Sequence, residues 1–136
     1  MRIEAWPIHG PQNSKTIFKK FIESLLRSGE EVHLNKETDG DVAVIWSVLW
    51  RGRMQSYKNV WDRYRKAGKP VIVLEVGGLR RNLSFKIGIN GINRDADFAN
   101  QIVDDKRWPL FKHELRPWNP TGDLIVICGQ HDASEQ

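Results

Sequence analysis

Three kinds of residue stand where they can do chemistry: arginines beside glycines, asparagines between glycines, and titratable groups at the ends of apolar runs. Gly77-Gly78-Leu79-Arg80-Arg81-Asn82 follows directly on the apolar run at residues 71–76. Paired glycines let a ligand approach the main chain closely. Arg80 and Arg81 carry guanidinium forks that grip phosphate oxygens two at a time. The plain alternative is a tight turn with solvated arginines. Arg51 and Arg53 flank Gly52 after another apolar run, giving a second candidate anion contact or else a surface loop. Asn90 and Asn93 lie in Ile87-Gly88-Ile89-Asn90-Gly91-Ile92-Asn93-Arg94. Their amides can bond sugar hydroxyls or a base edge, and equally suit a left-handed turn made for geometry alone.

The acid–base candidates are His9, Glu75 and His131. Both histidines fall at the ends of expected strands, within reach of general-base work or of a leaving group, although a lone loop histidine is often incidental. Glu75 stands inside an apolar strand, where a carboxylate must be paired or sit at a sheet end near a ligand. Several chemistries are excluded. No Gly-x-Gly-x-x-Gly joins a strand to a helix, and no phosphate-loop Gly-Lys-Ser or Gly-Lys-Thr occurs. The four histidines are scattered and Cys128 is the only cysteine, so neither a zinc site nor an intrachain disulfide is expected. No serine-hydrolase elbow is present. The sequence calls for no metal and no cofactor.

Charge is unevenly spread. Residues 51–94 hold eleven basic side chains against Asp62 and Glu75, a net +9, while the whole chain carries +4. Such a segment points to an anionic partner: a nucleotide, a phosphate or sulfate ester, or nucleic acid. The competing reading is that several of these cations solvate a helix face. No apolar run nears the roughly 20 residues of a membrane helix. The N-terminus lacks a basic-then-apolar leader. A cytoplasmic protein is expected, with a homo-oligomer open.

These residues need elements to hold them. Residues 2–8 read as a strand and residues 16–28 as an amphipathic helix, with Ser14 as N-cap and Gly29 as its stop. Residues 31–34 form a second strand, and residues 41–50 a third, apolar almost throughout and so buried on both faces. A helix over 56–67 turns Val60, Trp61 and Tyr64 inward. Residues 71–76 are the clearest central strand and 84–89 a shorter one. A third helix is expected over 95–103, an irregular crossing over 105–118, and a last buried strand over 123–128 opening into residues 129–132. The alternation specifies an α/β, Rossmann-like three-layer domain over residues 1–136 with a mainly parallel sheet. In such sheets ligands bind beyond the carboxyl ends of the strands.

Three stretches carry a resemblance. They are Asp41-Val-Ala-Val-Ile-Trp-Ser-Val-Leu-Trp-Arg-Gly-Arg, Gly68-Lys-Pro-Val-Ile-Val-Leu-Glu-Val-Gly-Gly-Leu and Arg116-Pro-Trp-Asn-Pro-Thr-Gly-Asp-Leu-Ile-Val-Ile-Cys-Gly-Gln. In that order they resemble the N-terminal Rossmann-like half of phage-encoded, glycosyltransferase-like proteins, themselves similar to capsular-polysaccharide transferases of the GT-B type. The ending Leu124–Gln130, followed by Asp132 and Ser134, is similar to a strand, Gly-Gln, Asp-x-Ser pattern of those transferases. The resemblance implies a nucleotide sugar bound without an essential metal, in a cleft between two Rossmann-like halves of which this chain supplies one. It would set Gly77, Gly78, Arg80, Arg81 and Gln130 near an anionic donor or acceptor, with Asn90 and Asn93 on sugar hydroxyls. The chain departs from the family in spanning one half only, so either the second half would come from a longer chain or a dimer, or the chain is a binding remnant. The alternatives are a nucleic-acid-binding module using residues 51–94, and a non-enzymatic phage effector that binds a host protein through a tryptophan-rich face.

Overall fold

The computed structural model of the chain describes residues 1–8, 10–78 and 84–97, together with Pro109 and Pro117. The chain divides into two units, Met1–Phe98 and Ala99–Gln136, and the elements named below belong to the first. They are β1 (Arg2–Ala5), α1 (Gln12–Arg27), β2 (Glu31–Leu34), β3 (Val42–Trp46), α2 (Gln55–Lys66), β4 (Val71–Val76) and β5 (Phe85–Ile89). Short 3-10 turns cover Gly52–Met54 and Asn93–Asp95. The sheet runs β2-β1-β3-β4-β5. Its first four strands are parallel and β5 is antiparallel to β4. This α/β sheet with two helices is compatible with a Rossmann-like fold. The expected elements over 105–118 and 123–128 and the loop 129–132 lie outside the described residues.

The apolar runs become the middle of the sheet. Every residue of β3 is buried, and Val71, Val73 and Leu74 of β4 are fully covered. β3 is shorter than the expected 41–50. Ser47 takes a left-handed conformation, φ 64°, and its Oγ accepts the Leu49 amide at 3.2 Å. That turn removes the chain from the ladder after Trp46, and Trp50 packs instead on Trp61, 5.6 Å between ring centroids.

Both helices end where glycine permits it. Gly29 and Gly68 have φ of 80° and 68°. The amide beyond each glycine reaches back to the last turn, Glu30 to the Leu25 carbonyl and Lys69 to that of Tyr64, the paired closure that caps a helix with a left-handed residue. The start of α1 differs from expectation. Pro11 is the N-cap, and Ser14 lies within the first turn with its Oγ donating to the Pro11 carbonyl at 2.7 Å. Proline's fixed φ suits that entry, so the helix begins four residues before Thr16. In α2, Tyr57, Val60 and Tyr64 are buried, at spacings of three and four. Trp61 is only partly buried against the core, on the flank of that stripe.

The link from β2 to β3, residues 35–41, holds no helix yet must pass β1, which lies between them. Charge pins it there. Glu4 is wholly buried in β1, and its Oε1 accepts the Thr38 amide at 2.6 Å and the Thr38 hydroxyl at 2.9 Å. Arg63 of α2 donates through Nη2 to Glu4 Oε2 and through Nη1 to the Thr38 carbonyl at 3.3 Å. Lys69 holds the same link through Asp39 Oδ1 at 2.6 Å and the Gly40 carbonyl at 2.9 Å. Gly40 is required: a Cβ there would stand 2.6 Å from the Tyr64 hydroxyl and 3.1 Å from Glu4 Cγ.

Burial alone would raise the Glu4 carboxyl, but the Arg63 and Thr38 hydrogen bonds outweigh it and hold the pKa down at about 2. The stabilisation this gives is therefore complete above the ordinary glutamate value of 4.5 and is lost as the pH falls toward 2. Removing Arg63 leaves a buried carboxylate uncompensated, which costs about 3–5 kcal/mol. Urea unfolding is expected to show an Arg63→Leu loss of that size at pH 7. The difference between variant and parent should narrow when the pH is lowered through the same window. Equal stability at pH 7 would contradict the assignment.

Candidate functional site

The parallel strands β1, β3 and β4 run out together at one edge, into Trp6, Ser47 and Gly77 respectively. Two clefts open there. The first is lined by Pro11, Trp46, Ser47, Leu49, Met54, Glu75 and Val76 and encloses about 220 Å³. Ser47 and Glu75 are both buried. The Glu75 Oε1 accepts the Val76 amide at 2.8 Å, so the carboxylate is fixed at the end of its strand. The chemistry on offer is a carboxylate and a hydroxyl set in aromatic and apolar walls, a combination that orients a polar ligand.

The second cleft lies past the end of β1. Trp6, Glu37, Ser56, Asn59, Val60 and Arg63 line it, and it encloses about 380 Å³. The Trp6 amide donates to the Val44 carbonyl at 3.0 Å, which fixes the backbone that carries the ring. Its indole nitrogen is buried with no hydrogen-bond partner among the described residues. Such an orphan donor costs about 1–3 kcal/mol. Among the described residues no three histidine, cysteine, aspartate or glutamate side chains gather in a way that could hold a metal ion. Nor is any described helix long and apolar enough to cross a membrane.

Of the residues expected from the sequence, Glu75 lies in the first cleft and Gly77 and Gly78 follow at its edge. Gly77 has a steric reason to be glycine: its amide donates to the Ser84 carbonyl at 3.0 Å, and a Cβ would come within 2.6 Å of that oxygen. Among the described residues nothing stands within 4 Å of where a Gly78 Cβ would be. Arg51 is exposed, and the backbone of Arg53 lies in the turn Gly52–Met54 that leads into α2.

Asn90 and Asn93 are elsewhere. Because β5 runs antiparallel, its end returns to the edge where β4 begins. Asn90 exchanges bonds with Val71 there, its Oδ1 accepting the Val71 amide at 3.0 Å and its own amide donating to the Val71 carbonyl at 2.7 Å. The Asn93 Oδ1 accepts Lys86 Nζ at 3.0 Å. Both residues have the left-handed φ expected of such a turn, 55° and 54°. The helix expected from Asp95 does not begin there: Ala96 is extended, and the Asp97 amide is tied to the Ile89 carbonyl at 2.7 Å. His9, Arg80, Arg81, Gln130 and His131 lie outside the described residues.

Three described cations of the basic segment have acidic partners within the fold. Lys58 pairs with Asp62 at 2.6 Å, Arg63 with Glu4 and Glu37, and Lys69 with Asp39. The Arg65 guanidinium lies 5.9 Å from the Trp61 ring centre. Glu4, Trp6, Glu37, Ser47, Ser56, Asn59 and Arg63 are not among the residues expected from the sequence. A signal existed for two groups of them. Glu4 is a carboxylate in a strand, as Glu75 is, and Ser56, Asn59 and Arg63 keep the spacing of one helix face.

Comparison of the chain with protein-family models, with curated proteins and with solved structures found no match.

Alanine at the two adjacent glycines separates their roles. Gly77→Ala should cost about 1–3 kcal/mol by overpacking, and Gly78→Ala should stay within about 0.5 kcal/mol of the parent. Thermal melting of both variants checks this, and equal losses would refute the steric role of Gly77.

Proposed function

We propose that the chain is a glycosyltransferase-like domain that binds a nucleotide sugar, or another anionic glycan-related ligand, at the carboxyl edge of its parallel strands. The observation that carries this reading is the cleft at the ends of β3 and β4. Buried Glu75 and left-handed Ser47 meet there at the Pro11 entry to α1. A fixed carboxylate there suits a sugar hydroxyl or a proton transfer.

A three-layer arrangement belongs to the same proposal. Phe18 of α1 stacks near Trp46, 6.3 Å between centroids, while Arg63 of α2 bonds Glu4. Glu4 is level with Ala43, so side-chain alternation turns it to the face opposite Trp46. Helices on opposite faces would make the β1–β3 boundary a switch point, the usual place for a ligand in such sheets. A small ligand is preferred over a nucleic-acid backbone because Lys58, Arg63 and Lys69 already have acidic partners. If the domain is half of a GT-B cleft, Arg51, Arg53, Gly77, Gly78, Arg80 and Arg81 belong to its donor side.

Titration with UDP- and CMP-sugars, followed by tryptophan fluorescence, should give a saturable change with at least one donor, since Trp46 lines the cleft. Glu75→Gln should weaken it about tenfold, the worth of a charged hydrogen bond. Silence with every donor, in a folded sample, would refute the reading.

A further inference from the structure

The cleft beside Trp6 has a chemistry of its own. At about 380 Å³ it falls within the roughly 300–1,000 Å³ of small-molecule sites. Ser56, Asn59 and Arg63 stand at intervals of three and four along α2, so their side chains share one stripe of the helix, with Val60 between them as an apolar floor. Trp6 forms a wall from the end of β1, and Glu37 closes the rim from the β2–β3 link.

Charge decides what can enter. Arg63 is the one cation among the six lining residues, and its guanidinium is committed: Nη2 and Nη1 to Glu4, Nη1 also to the Thr38 carbonyl, and Nε to Glu37 at 3.5 Å. Glu37, with its side chain 70% exposed, adds a negative charge at the mouth. A phosphate would meet a neutralised arginine and a repelling carboxylate. What remains is an indole ring, an amide that both donates and accepts, and a carboxylate acceptor. That set matches a molecule with an apolar ring face and hydroxyl groups around its edge.

We propose that the Trp6 cleft binds an uncharged polyhydroxylated ring, a pyranose or a cyclitol. The C–H face of the ring lies on Trp6, a hydroxyl donates to Glu37, and Asn59 exchanges hydrogen bonds with its neighbour. The buried indole N–H, which has no acceptor among the described residues, gains an oxygen acceptor from the same ligand. Because that nitrogen is covered, the ring shifts as the ligand seats, which makes the indole resonance the natural reporter. Binding here does not depend on the nucleotide-sugar reading of the Ser47–Glu75 cleft.

The test is proton–nitrogen NMR of the intact chain, with the Trp6 indole signal assigned by its loss in Trp6→Phe. The probes are methyl α-glucopyranoside, methyl N-acetylglucosaminide, myo-inositol and inorganic phosphate. At least one neutral ring should move the Trp6 signal saturably, and phosphate should not. Asn59→Ala, at an exposed helix position, and Glu37→Gln should each weaken binding about fivefold, the worth of one hydrogen bond. Glu75→Gln should leave it unchanged, whatever that variant does to nucleotide-sugar binding. The proposal falls if no neutral ring moves the signal or if phosphate moves it equally. It also falls if Asn59→Ala binds as the parent does or if Glu75→Gln abolishes binding.

Discussion

The buried pair of Glu4 and Arg63 is the constraint on which the described fold turns. It joins residues 59 positions apart and, through Thr38, holds in place the one link between parallel strands that has no helix to pack it. A carboxylate within a covered strand is tolerable only while its partners stand ready, because desolvation of an ion costs several kcal/mol. A chain that had formed β1 and β2 without α2 would carry that cost unrelieved. The strand β1, the β2–β3 link and α2 are therefore coupled, since none of the three is comfortable without the others.

The same pair shapes the cleft beside Trp6. By engaging Arg63 from behind, Glu4 turns a helix stripe that looks cationic in the sequence into a nearly neutral wall. Lys69 is likewise engaged by Asp39, and Lys58 by Asp62. The acidic partners Glu4, Glu37 and Asp39 come from the first fifty residues. A segment charge of +9 is thus partly a record of which strands and links it must hold, rather than of what it binds.

Much of the fold is legible in the order of residues alone. The apolar runs in β3 and β4 mark buried strands, and Gly29 and Gly68 mark helix ends, since local rules determine both. What escapes such reading is non-local or conformational. Hydrophobic pattern carries no strand direction, so the reversal of β5 is invisible in it, and with it the removal of Asn90 and Asn93 from the edge of Glu75. Ser47 ends β3 through a left-handed conformation that a serine does not advertise. Glu4, like Glu75, is a carboxylate within a strand, but its shorter and more polar surroundings hide it. Trp6 is one tryptophan among six, and its place in a cleft depends on α2, fifty residues later in the chain.

The reversal of β5 also divides the molecule's freedom to vary. A parallel sheet sends all its outgoing loops to one edge, so insertions made there tend to disturb the binding side. Here the connection after β4 leaves at that edge, while the turn after β5 lies at the other, stitched to Val71 by Asn90 and packed so closely that Gly88 and Gly91 have no room for a side chain. Residues 90–97 thereby form a hem that resists lengthening, because its register with β4 depends on it.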